Sequence, residues 1–208
     1  MVLADYAYNL RRARVILAIM TNPRIALIVA STRPRRIGPS FAAWVLEHAQ
    51  GRDDLDVELV DVADQGLPML DEPVPASAGR YSQPHTQAWA EVIGGFDGFI
   101  FVTPEYNGAI PASLKNALDY LYAEWAEKPA AIVSYGGVGG VRAAESLRGL
   151  LSHIGMWPLK QQVSLTLRDD TADGAAAPRE HHAKGVGTML DALARWAGPM
   201  REVRVGSP

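Results

Sequence analysis

Three short stretches of this chain gather residues able to hold a charged or planar ligand. The first is Ser31-Thr-Arg-Pro-Arg-Arg-Ile-Gly-Pro-Ser40, which follows the apolar residues 25–30 and ends where an apolar-periodic segment opens at Phe41. A buried strand that empties into a polar loop at the start of a helix suits an anion. Hydroxyls and backbone N–H groups can point at a phosphate, the helix N-terminus adds partial positive charge, and arginine adds a full charge. The same stretch also reads as an ordinary strand-to-helix loop with solvated arginines. The second stretch is Thr103-Pro-Glu-Tyr-Asn-Gly-Ala-Ile-Pro-Ala-Ser-Leu-Lys-Asn116. Pro104 and Pro111 fix φ and Gly108 permits a tight turn, so a rigid loop presents Glu105, Tyr106 and Asn107 to a flat polar ring. Alternatively Tyr106 is a core residue of a structural loop. The third, Ser134-Tyr-Gly-Gly-Val-Gly-Gly140, places four glycines in five positions, which lets backbone approach a ligand closely.

Other chemistries are excluded. The chain of 208 residues has no cysteine, which removes thiolate metal sites, iron–sulfur ligation, disulfides and a cysteine nucleophile. Redox chemistry would have to sit on a bound cofactor. No G-x-x-x-x-G-K-[ST] is present, and the glycine-rich stretch follows the third buried strand and departs from G-x-G-x-x-G, against a nicotinamide Rossmann site. A net charge of −3 with scattered basic residues argues against nucleic acid. The apolar run near residues 15–19 is too short to span a bilayer. A cytoplasmic location fits the lack of cysteine. Charged residues are only 21% of the chain, which points to surface buried in an oligomer.

Strands and helices alternate along the chain. Residues 25–30, 98–103 and 129–135 are continuous apolar runs of the buried parallel type, residues 55–60 alternate as an edge strand would, and residues 157–167 carry the last strand. Helical spacing marks residues 40–50, 83–94, 111–122, 141–154 and 179–197. This order implies a doubly wound parallel sheet with helices on both faces. Ligands in such sheets bind beyond the C-terminal strand ends, where the three stretches converge. Residues 64–83 form a long loop, functional or disordered. Residues 1–22 are set aside as an extension, with 1–19 attributed to a mis-set start; residues 23–200 are one domain and 201–208 a tail.

The three blocks, in this order, resemble the NADPH-dependent FMN reductase family over roughly residues 23–198, with Ala30 where glycine is frequent in the family. The resemblance implies a flavodoxin-like three-layer α/β/α sandwich with a five-stranded parallel sheet of order 2-1-3-4-5. It implies noncovalent FMN, with Ser31, Arg33, Gly38, Pro39 and Ser40 around the 5′-phosphate and Pro104, Glu105, Tyr106 and Asn107 along the ribityl chain and ring. Ser134, Tyr135, Gly136, Gly137 and Gly139 would meet the ring's other side. The implied reaction passes a hydride from NAD(P)H, NADPH ahead of NADH, to FMN and on to a flavin, quinone or similar small acceptor, without a catalytic side chain. A flavin-binding carrier lacking a nicotinamide site is the alternative. Arg35 or Arg36 is a candidate for the 2′-phosphate of NADPH. A homodimer or homotetramer is expected, with Tyr122 and Trp125 as interface candidates.

Four other features have plainer readings. His181 and His182 lie about 100° apart on a helix and read as a solvated face. His153 sits at a helix end. His85, beside the long loop, could touch substrate. Asp169, Asp170 and Asp173 read as a flexible loop.

Overall fold

The computed structural model describes residues 21–206. The elements run β1 (Arg24–Val29), α1 (Gly38–Ala49), β2 (Asp56–Asp61), α2 (Pro84–Gly94), β3 (Gly98–Pro104), α3 (Ala112–Asp119), β4 (Pro129–Gly136), α4 (Val141–His153), β5 (Trp157–Thr166), a hairpin of β6 (Thr171–Ala172) and β7 (Ala175–Ala176), and α5 (Glu180–Gly206). The first five strands form one parallel sheet in the order β2-β1-β3-β4-β5. This is the flavodoxin-like order.

The period of two along each central strand builds two cores. In β1, Ala26 and Ile28 point to one face, and Ile25, Leu27 and Val29 to the other. Residues of α2, α3 and α4, including Trp89, Leu118 and Leu147, cover the first face. Phe41 and Val45 of α1 and Val186 and Leu190 of α5 cover the second. A strand buried on both faces favours apolar residues on both, hence the long apolar runs in β1, β3 and β4. Each such Leu, Ile or Phe contributes about 1.5–3 kcal/mol. The exposed positions of β2 follow from its place at the sheet edge.

Tertiary contacts correct several sequence expectations. Residues 62–83 are tied down: the Asn116 Nδ2 donates to Pro68 O (2.6 Å) and its Oδ1 accepts from Leu70 N (2.9 Å). The Glu72 carboxylate accepts from Ser82 N and Gln83 N at the start of α2. The acidic loop after β5 is likewise built. Asp170 is fully buried and accepts from Thr166 N (2.7 Å) and Arg179 Nε (3.1 Å). His182 is no solvated face: its ring lies 3.2 Å from Asp170 Oδ1, and burial pushes the imidazole below its ordinary value. Trp125 belongs to the core, its Nε1 donating to Leu118 O (3.1 Å) and its ring meeting Phe99 at 5.0 Å. His85 pairs with Asp71 at 2.9 Å. α5 continues past Ala197 to Gly206, and Arg201 and Arg204 reach Asp97 beside β3 (3.2 and 3.0 Å). The expectation for residues 1–19 lies outside the described residues. Among the described residues, no helix is long and apolar enough to cross a membrane.

Candidate active site

The loops after β1, β3 and β4 meet at the C-terminal edge of the sheet. They enclose a cleft of about 250 Å³ whose walls include Arg33, Arg35, Tyr106, Tyr135, Gly137 and Leu167. A larger depression, about 620 Å³, lies at the opposite sheet edge beside Asn22, Asp54 and Arg195. Strand polarity favours the smaller cleft, because the turns that open helices, with their free N–H groups, lie on that side.

The β1 loop supplies the polar floor. Ser31 is fully buried, and its Oγ lies 2.7 Å from the Tyr106 hydroxyl across the cleft. Arg36 also lines the cleft, but its guanidinium is engaged: Nη2 meets Asp61 Oδ2 at 2.5 Å and Nη1 donates to Ser31 O at 2.7 Å. That clamp joins the ends of β1 and β2 and leaves Arg33 and Arg35 as the exposed guanidinium groups of the loop. α1 opens without a cap. Ile37 offers no side-chain acceptor, a proline stands in the first turn, and no acid lies there. Among the described residues, the backbone N–H groups of Thr32, Ile37, Gly137 and Val138 have no protein acceptor. An uncapped helix start flanked by a hydroxyl and arginine fits a phosphate.

The β3 loop is a rigid arm. Tyr106 N donates to Ala109 O (2.9 Å) and Ala109 N to Tyr106 O (3.1 Å), around Asn107 (φ +52°) and Gly108 (φ +80°). Two successive positive φ values make this a type I′ turn. Asn107 sits exposed at its tip. Glu105 lines the cleft, yet its carboxylate is committed to the first turn of α4, where it accepts from Arg142 N (3.0 Å) and Nη1 (3.1 Å). Burial works against its charge, but the bonds from Arg142 and Ala143 outweigh it and hold the carboxyl below the usual range.

The β4 loop is nearly all backbone. Ser134 Oγ donates to Gly139 O (2.7 Å), which folds the loop back on its strand. Gly140 is forced: at φ +66°, a Cβ would lie 2.7 Å from Tyr135 N. Gly137, in contrast, has nothing within 4 Å of that position, so its surface is open to a ligand. The Tyr135 ring packs on Phe41 (5.0 Å), and burial raises its phenol.

The structure thus brings Arg33, Pro104, Glu105, Tyr106, Tyr135, Gly136 and Gly137 to one cleft, with Ser31 beneath. Gly38 packs on the Tyr135 hydroxyl beside Pro39. Ser40 instead holds the β6–β7 hairpin, its Oγ accepting from Ala176 N (2.7 Å). Ser134 and Gly139 shape the glycine loop. Leu167 and Gly140, outside the expected ligand set, also belong to these walls. Leu167 follows the fifth strand at the same edge, and its N–H bonds Gly136 O (3.0 Å). Among the described residues, no His, Asp and Glu side chains group as metal ligands.

Residues 23–169 match the model of the family described as NADPH-dependent FMN reductase. The chain is 42% identical over 178 residues to an NAD(P)H-dependent FMN reductase of Schizosaccharomyces pombe, covering 84% of this chain and 89% of the relative. It is 29% identical over 195 residues to a 2-hydroxy-1,4-benzoquinone reductase of a Burkholderia species, covering 86% and 98%. Among solved structures, the flavoenzyme FerB of Paracoccus denitrificans superposes with a TM-score of 0.67 at 23% identity, over 86% of this chain and 98% of that one.

Proposed function

The chain belongs to the NADPH-dependent FMN reductase family, and from that premise we propose how its cleft serves the reaction. The protein is an oxidoreductase that uses FMN and NAD(P)H and reduces a quinone or flavin. FMN, when bound, would supply the hydride chemistry that links nicotinamide to acceptor. The chain binds, orients and shields.

Ser31, Arg33 and the uncapped start of α1 hold the phosphate, which does not react. Pro104, Tyr106 and Asn107 line one side of the ribityl and ring. Gly136 and Gly137 offer backbone to the other side, with Gly137 N–H as a donor toward charge developing on the ring. Gly38 and Tyr135 form the wall behind them. Glu105, Ser134, Gly139 and Ser40 act by fixing these walls. Arg35 is assigned to the 2′-phosphate of NADPH, since Arg36 is already engaged by Asp61. The acceptor is small, and the protein works as a homodimer or homotetramer.

The observation that carries this reading is the pairing of an uncapped, acid-free helix start with an open glycine loop across one cleft. The test is to titrate purified protein with FMN, following flavin fluorescence, and then add NADPH without oxygen. Stoichiometric quenching followed by bleaching of the visible flavin band is the expected result. Bound flavin that NADPH fails to bleach would refute the reductase role, and no flavin binding would refute the site.

A further inference from the structure

Two helices follow the loops that wall the cleft, α1 after Ile37 and α4 after the glycine loop, and the chain treats them in opposite ways. α1 is left open, with no cap and no acid in its first turn. α4 also lacks a cap of its own, because its N-cap is Gly140. Glu105, from a different loop, supplies one through Arg142 N and the Arg142 guanidinium. The two partners differ in exposure: the Glu105 side chain is 12% exposed and that of Arg142 66%. Water therefore screens the arginine far more than the carboxylate. The same contact locks two walls of the cleft together. Glu105 N donates to Tyr135 O (3.0 Å), and a Cβ on Gly108 would meet Arg142 Cδ at 3.7 Å.

We propose that Glu105 is a positioning residue that cancels the positive end of α4 and thereby keeps the reduction potential of the bound flavin low. This rests on the FMN reading of the cleft. Accepting a hydride, two electrons and one proton, adds one negative charge to the ring. Delivering that hydride to a quinone, with a proton from solvent, removes the charge again. An uncancelled helix N-terminus beside the ring would favour the more negative form and hold the electrons back. A carboxylate fixed on that terminus opposes this. The phosphate keeps its charge throughout the reaction, so the open start of α1 can grip it without biasing either half of the cycle.

The experiment measures the midpoint potential of the FMN-loaded protein against a reference dye, together with FMN affinity by fluorescence quenching. Glu105→Gln keeps an acceptor for Arg142 N and loses the charge. It should favour reduced over oxidised flavin by about tenfold, an upward shift of about 30 mV for a two-electron couple. Arg142→Met leaves the carboxylate uncompensated and should shift the potential downward. Simple loosening of the loops would move both variants in the same direction, so opposite signs support the proposal. Equal signs, or an unmoved potential in both, would overturn it. If Glu105→Gln does not fold, the sign for Arg142→Met decides alone. Wild-type protein that binds no FMN would overturn the reading of the site, and this proposal with it.

Discussion

Gly137 and Gly140 are three residues apart in one loop, and the structure assigns them opposite roles. A methyl at Gly140 would lie 2.7 Å from Tyr135 N and 2.8 Å from Tyr135 O, at φ +66°. Both contacts are to backbone, so no side-chain rotation relieves them. The left-handed conformation costs about 1–2 kcal/mol and the overpacking about 1–3 kcal/mol more. Gly140→Ala should therefore lose about 2–5 kcal/mol, or about 4–20 °C in Tm for a chain of this size. A methyl at Gly137 meets nothing within 4 Å. Gly137→Ala should keep wild-type stability, within about 0.5 kcal/mol. Its methyl would occupy ligand space, so FMN affinity should fall about tenfold, or ~1.4 kcal/mol. Urea unfolding of the FMN-free proteins separates stability from binding, and fluorescence quenching reads affinity. A Gly140→Ala protein as stable as wild type would refute the packing argument. A Gly137→Ala protein with unchanged affinity would remove the glycine loop from the site.

Three other outcomes follow from the same geometry. Arg33→Ala should weaken FMN binding by about 1.5–3 kcal/mol through loss of a charged hydrogen bond, read by fluorescence titration; unchanged affinity would remove Arg33 from the phosphate site. Arg35→Ala should raise KM for NADPH about tenfold with KM for NADH unchanged, whereas Arg36→Ala should instead cost about 1–3 kcal/mol in urea by stranding buried Asp61; equal KM effects of Arg35→Ala on both nucleotides would exclude it from the 2′-phosphate. Burial opposes the Glu72 charge, but bonds from Gln83 and Ser82 hold its carboxyl down to about 2 against an ordinary 4.5. Its stabilising contribution is thus complete above about pH 4.5 and lost as pH falls toward 2. Glu72→Gln should flatten that limb of a stability-against-pH profile, and an unchanged slope would count against the α2 cap.

The central strands were legible because burial on both faces leaves polar residues only near their C-terminal ends, at Thr103 and Ser134. Residues 98–103 and 129–135 were expected, against Gly98–Pro104 and Pro129–Gly136 in the structure. The side chains were harder. Glu105 falls in a block that the family resemblance places along the flavin, yet its carboxylate caps α4, and its partner Arg142 stands 37 residues away. Ser40 faces a hairpin 136 residues on. Trp125 follows a helix and reads as an interface candidate until Phe99 is seen against it. Local patterns carry no record of such pairings.

By itself, the sequence determined the chain of elements, the sheet edge at which three polar and glycine-rich loops emerge, and the family. Periodicity and composition suffice for these, because they reflect which faces leave water. The tertiary structure decided which polar groups remain free. Arg36, Ser40, Ser134 and Glu105 are each engaged by another part of the chain, while among the described residues the guanidinium groups of Arg33 and Arg35 and the backbone of Gly137 are not. A hydroxyl, guanidinium or carboxylate already in a hydrogen bond has less to offer a ligand. That distribution gives the cleft one uncapped helix start, at α1, and one capped by a carboxylate, at α4.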